Sequence, residues 1–227
     1  IHRAEEDRIV RMKLFLTSLA STTLDLIHPI LPRPPIELSL AYIPTAADPY
    51  ALDNRPWADS NRQKLISMGF KITDYDIKGK NEQELLSDLS KFDIIYVEGG
   101  NVFYLLWHMR QTGVDKVLPE LLSKGIIYIG SSAGSAVLST SIEHAIPFDN
   151  PSTAPLLTNY TGLGLINTQL HPHSGKPKYA DREQETINKW GDKLTLLRDD
   201  QVMIVNGDDQ KIQAIWWKTI LTKIMKH

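Results

Sequence analysis

The 227-residue chain contains no cysteine. This absence removes disulfides, thiolate metal sites and a cysteine nucleophile together, and it fits a reducing compartment. Any covalent catalyst must then be Ser, Thr, Lys or a carboxylate. No apolar run approaches the roughly 20 residues that span a bilayer. The opening IHRAEEDRIVR, residues 1–11, is charged where a signal peptide would need an apolar centre. Neither sign of charge dominates, since 25 Lys+Arg face 27 Asp+Glu for a formal net charge of -2. That balance argues against a nucleic-acid or membrane partner. Internal repeats and low-complexity tracts are missing too, so the expectation is a cytoplasmic protein whose partner is a small molecule.

What is present is enough apolar sequence, 42% of the chain, for one substantial core. The first strand-like run starts at Met12, so the reading is a single domain over residues 12–227 with residues 1–11 as leader. Residues 12–18 (MKLFLTS) and 37–45 (ELSLAYIPT) predict strands, and the prolines of LIHPILPRPPI between them predict a loop. Pro56 opens and Gly69 closes a predicted helix. Residues 70–77 predict a strand, and Asn81 caps the helical spacing of NEQELLSDLSKF. FDIIYVEGG (92–100) is a buried-type strand, followed by a helix capped by Asn101, a further helix over 113–124 and the strand GIIYIG. Strands alternating with helices predict an α/β fold of three layers, α/β/α, with a mostly parallel central sheet. Such sheets bind ligands at the carboxyl ends of their strands.

After residue 140 the rhythm breaks into an irregular, proline-rich stretch. LGLINTQL is strand-like, residues 179–190 predict a helix, and QVMIVNG with KIQAIWWK predicts a closing hairpin around Asp208 and Asp209.

Two corners carry chemistry. Gly130-Ser131-Ser132-Ala133-Gly134 fits G-x-S-x-G between a strand and a helix, the setting of a nucleophile elbow. A sharp strand-to-helix turn strains the central serine and needs small neighbours. Ser132 then projects at the positive end of the following helix, with the Ala133 amide aimed where an oxyanion would form. Ser131 and Ser135 are its neighbours. The second corner, Val97-Glu98-Gly99-Gly100-Asn101, exposes backbone N–H groups suited to an oxyanion or a carboxylate.

EGGNVFYLL followed about thirty residues later by YIGSSAGS resembles the peptidase E and cyanophycinase family of serine peptidases. MKLFLTS and GLGLINTQLHPH extend that resemblance over most of residues 12–210. It implies a class I glutamine amidotransferase-like fold, a serine nucleophile at Ser132, a downstream histidine base, an orienting carboxylate, and cleavage after aspartyl residues without a metal or organic cofactor. Gly100 and Ala133 would hold the oxyanion, with Gly99 and Asn101 beside the substrate.

Among seven histidines, His171 and His173 close a strand, where a side chain reaches the sheet's edge. On an extended chain the two would point the same way, which raises a metal site, although no third ligand accompanies them. The family's Asn-Pro-His is matched by His171-Pro172-His173, so the resemblance implies His173 as base and leaves His171 beside the substrate. The acid falls at Asp199 or Asp200, with Glu143 and Asp149 as outside candidates. Asp181-Arg182-Glu183-Gln184 resembles the family's Thr-Arg-Glu-Gln, which makes Arg182 the candidate for gripping an aspartyl side chain. The alternatives are a β-aspartyl hydrolase of the cyanophycinase kind, or a binding module that keeps the fold without chemistry. Either a monomer or a homodimer fits.

Overall fold

The computed structural model describes residues 12–215. Residues 1–11, read above as a leader, lie outside the described residues, as does the chain from Trp216 onward. In chain order the elements are strand β1 (Lys13–Thr17), helix α1 (Ala20–Thr23), β2 (Ser39–Ile43), α2 (Pro56–Met68), β3 (Lys71–Asp74), α3 (Glu82–Leu89), β4 (Ile94–Val97), α4 (Val102–Thr112), α5 (Val114–Ser123), β5 (Ile127–Ser131), α6 (Ala133–Ala136), β6 (Gln169–Pro172), α7 (Ala180–Trp190), β7 (Leu194–Leu197), β8 (Gln201–Asn206) and β9 (Asp209–Ala214).

Seven strands form one sheet in the order β3-β2-β4-β5-β1-β8-β9. The first five lie parallel, and β8 and β9 add an antiparallel edge. Alternation along each strand sorts side chains between two cores. Leu14, Leu16, Ile95, Val97 and Tyr128 join α3, α4 and α5 on one face; Phe15, Ile94, Tyr96, Ile127 and Ile129 meet Leu24, Ile27 and Leu65 on the other. With both faces covered, the parallel strands read as nearly continuous apolar runs, as such sheets require.

Local signals explain most boundaries. Asn81 accepts the Glu84 amide while the Glu84 side chain accepts the Asn81 amide, a complete capping box at α3. Asn101 Oδ1 accepts from Phe103 and Tyr104 at the start of α4, and Gly69 ends α2 at φ 93°. The proline-rich stretch is not a plain loop: α1 runs into a 3-10 segment over Leu24–Ile30, where three-residue hydrogen bonding accommodates Pro29 and buries Leu24, Ile27 and Ile30. The hairpin turns at Gly207 and Asp208, one residue earlier than predicted, because Asn206 pairs with Asp209 and Gly207 supplies a φ of 63°. The predicted strand LGLINTQL shrinks to β6, which pairs in parallel with β7, a strand not foreseen.

Candidate active site

Thr17 of β1 lies beside Ser131 of β5 in the parallel register. The residues that follow, Ser18 and Ser132, therefore emerge together at the carboxyl edge. The Ser132 amide donates to Thr17 O at 2.9 Å, pinning the turn to the neighbouring strand. Ser132 has φ 49° and ψ -108°, a strained conformation for a residue with a side chain.

Glycine makes the turn possible by close approach. A Cβ on Gly130 would sit 2.5 Å from Gly134 O, and one on Gly134 would sit 2.2 Å from Val97 O, the end of the adjacent strand. Ser135 Oγ donates to Thr17 O and Gly130 O, both at 2.8 Å, and Ser131 Oγ accepts from Asn61. Those two hydroxyls fasten the corner, and Ser132 faces the cavity.

The second corner packs against the first. A Cβ on Gly99 would lie 3.1 Å from Ser132 Cβ, and Gly100, at φ 147°, has no room for a side chain, since Ala46 O would be 2.0 Å away. Beneath it Glu98 is fully buried and accepts hydrogen bonds from the Gly99 amide (2.6 Å), Asn61 (2.8 Å), Tyr42 (2.7 Å) and Tyr96 (3.1 Å). Burial raises its pKa, and these donors counter the rise. Through Asn61 this acid ties the Gly99 corner to Ser131 of the elbow. Among the described residues, neither the Gly100 nor the Ala133 amide has an acceptor, and both residues line the cavity.

The remaining groups arrive from the small β6-β7 sheet. Pro172 pairs with Leu197, so the parallel register brings the segments after both strands to one end. His173 follows at φ 63°. Ser132 and His173 are the non-glycine residues with positive φ among the described residues. Ser132 Oγ lies 2.9 Å from His173 Nε2, and His173 Nδ1 lies 2.6 Å from Asp199 Oδ1.

Two residues that sequence reasoning missed complete this group. Ser18 Oγ donates to Asp199 Oδ1 at 2.7 Å and accepts the His173 amide at 2.7 Å. Lys176 Nζ reaches Asp199 Oδ2 at 2.7 Å. Burial pushes the Asp199 carboxyl up, but hydrogen bonds from His173, Lys176 and Ser18 outweigh it and hold the group well below the usual carboxylate range. Ser18 carried a weak signal, as a small polar residue closing a predicted strand; Lys176 carried none.

The other candidates separate. Asp200 pairs with Arg198 at 3.1 Å and stands apart from the imidazole. His171 and His173 both line the cavity, but the positive φ at 173 ends the strand's alternation and the two imidazoles have different partners. His171 is buried, 3.8 Å from Glu183 and 4.7 Å in ring separation from Phe148, with its pKa lowered by burial. Asn101 caps α4 and passes its amide to Asn150 O at 2.9 Å. Arg182 donates to Pro147 O at 2.9 Å and stacks over Tyr179, outside the cavity wall. Glu143 is exposed, while Asp149 lines the cavity away from His173's hydrogen bonds.

The cavity itself measures about 520 Å³, room for a small peptide. Ser18, Trp57, Gly100, Ser132, Asp149 and Lys178 are among the residues around it.

The description of peptidase family S51 matches residues 19–213. An uncharacterized peptidase of Listeria monocytogenes is 31% identical over 155 residues, 68% of this chain and 75% of that protein. A Drosophila melanogaster protein provisionally named alpha-aspartyl dipeptidase is 30% identical over 138 residues, 60% of this chain and 54% of that one, so this chain matches little more than half of it. Among solved structures, a Listeria monocytogenes protein provisionally titled peptidase E superposes with a TM-score of 0.83 at 26% identity, covering 90% of this chain and 99% of that one.

Proposed function

The chain belongs to peptidase family S51 and is a serine-type hydrolase of peptides, and from that premise we propose that it cleaves small peptides after an N-terminal aspartyl residue. The observation that carries the mechanism is the continuous relay from Ser132 through His173 to Asp199, with contacts of 2.9 Å and 2.6 Å. Ser132 Oγ attacks the scissile carbonyl carbon while His173 Nε2 takes its proton. Asp199 holds the Nδ1 proton in place and stabilises the imidazolium, and it can do so because its neighbours keep it ionised.

As the carbonyl π bond opens, the charge on oxygen is taken up by the Gly100 and Ala133 amides, which lack other acceptors. Collapse of the tetrahedral adduct breaks the C–N bond, and His173 returns its proton to the departing amine. Water then repeats the sequence on the acyl-enzyme, frees Ser132 and releases the aspartyl product. An acidic side chain in the cavity needs a cation. Lys178 lines the wall with no carboxylate partner among the described residues, whereas Lys176 is paired with Asp199 and Arg182 stands outside. Lys178 is therefore the better candidate for that contact.

The test is hydrolysis of α-aspartyl dipeptides, with β-aspartyl-arginine offered in parallel, by wild type and Ser132→Ala. A loss of about 10⁴-fold with the variant is expected. An undiminished rate would exclude the mechanism, and faster cleavage of the β-linked peptide would replace the α-aspartyl reading by the cyanophycinase-like one.

A further inference from the structure

Asp149 is the one acidic side chain lining the cavity among the described residues. It reaches the wall from the irregular segment after α6, just before a 3-10 turn over Pro151–Thr153. Its Oδ2 accepts the Val102 amide at 2.8 Å, at the positive end of α4. Its Oδ1 has no hydrogen-bond partner among the described residues. A carboxylate serving solely as a helix cap would need no place on a cavity wall, and the α4 terminus already has Asn101, which takes two of its amides.

The position is close to the chemistry along the chain. Gly99 packs against Ser132, Gly100 offers its amide, and Val102, which also lines the cavity, holds Asp149. Burial pushes the Asp149 carboxyl up to about 6, so it is mostly ionised at neutral pH. The imidazoles of His144 and His171, also on this wall, have their pKa values lowered by burial and supply no compensating charge. Tyr50, facing the same carboxylate, has its phenol pushed up to about 12, chiefly by burial and then by Asp149, and stays neutral.

A small peptide brings a matching problem. Cleavage after its first residue puts the free α-ammonium inside the cavity, where a cation stripped of water requires an anionic partner. We infer that Asp149 is the acceptor for the substrate's α-ammonium group. The inference rests on the peptidase reading and adds to it a charge-paired subsite for the peptide's amino end. It accounts for the free Oδ1, and with the cation Lys178 lining the same cavity it supplies the two charges that an N-terminal aspartyl residue calls for.

Binding and turnover separate this inference from the reading it rests on. Calorimetry with Ser132→Ala, which cannot turn over, would compare a free α-aspartyl dipeptide with its N-acetylated form. The free peptide should bind about tenfold to hundredfold more tightly, the range of a hydrogen bond between charged groups. In Ser132→Ala/Asp149→Asn that ratio should fall close to one, with the amide oxygen still able to cap Val102 and the melting temperature reporting that the fold is kept. Equal binding of free and acetylated peptides by Ser132→Ala, or an unchanged ratio after Asp149→Asn, would overturn the inference. Discrimination in binding without any hydrolysis by the wild-type enzyme would leave the subsite standing and remove the peptidase reading instead.

Discussion

The two glycine corners and the β6-β7 arm both serve the cavity, but they are built differently. The corners lie at the ends of adjacent parallel strands, β4 and β5, and are shaped by backbone meeting backbone. A Cβ at Gly100, Gly130 or Gly134 would come within 2.5 Å of a carbonyl oxygen, so small residues are a steric requirement there. The arm is a separate two-stranded sheet, and its His173 and Asp199 reach Ser132 and Ser18 through side-chain hydrogen bonds. The corners are rigid because nothing else fits. The arm is placed because particular donors and acceptors match.

That contrast can be broken at graded cost. The largest effect should come from the arm: Asp199→Asn should lower kcat by about 10³- to 10⁴-fold, since the imidazole loses the partner that fixes its tautomer, whereas Asp200→Asn should stay within a factor of about two. Steady-state kinetics on an aspartyl dipeptide would show it, and equal losses in the two variants would mean that the acid is misassigned.

Next, Gly134→Ala should destabilise the fold by about 3 kcal/mol, because its Cβ would meet Val97 O at 2.2 Å and backbone would have to move. Urea unfolding measures this, and a change under about 1 kcal/mol would show the corner to be softer than the packing implies. Gly164, where a Cβ would meet nothing within 4 Å, is the control site for space, although its φ of 66° adds backbone strain.

The smallest expected effect is that of Lys176→Met. The ion pair is partly exposed, so it should contribute under about 1 kcal/mol. Its sign with pH is the sharper readout. The Asp199 pKa is depressed in the fold, so its stabilisation is fully present above the unfolded value near 4 and is lost as pH falls toward the lower folded value. The gap in urea midpoint between wild type and Lys176→Met should be open at pH 7 and narrow on going below pH 4. A gap independent of pH would assign the lysine another role.

Legibility in the sequence follows the same division. β1 to β5 and helices α2 to α5 announced themselves by apolar runs, by Pro56, Asn81 and Asn101 at helix starts, and by Gly69 at a helix end. The elbow was legible because G-x-S-x-G between a strand and a helix is a local pattern with a local steric cause. The choice between Asp199 and Asp200 was not legible: neighbours in an extended turn point apart, and which one meets the imidazole depends on β7, a four-residue strand with little patterning of its own. His171 and His173 both line the cavity, but the positive φ at 173 ends the strand there, and His173 meets Ser132 and Asp199 while His171 is buried beside Glu183. Arg182 resembled a substrate-binding arginine in its short run of neighbours, yet Pro147 O and the ring of Tyr179 claim its guanidinium.

By itself the sequence determined a mostly parallel α/β sheet, a serine on a strained turn and a paired-glycine corner beside it, because each depends on spacing within a few residues or on the absence of a side chain. Only the tertiary structure decided which carboxylate stands behind His173, that Ser18 and Lys176 hold it, and that Asp149 rather than Arg182 faces the cavity. Ser18 and Asp199 are 181 residues apart in the chain. Contacts at that separation are fixed by how β1, β6 and β7 come together at one edge, and no local pattern of residues encodes them.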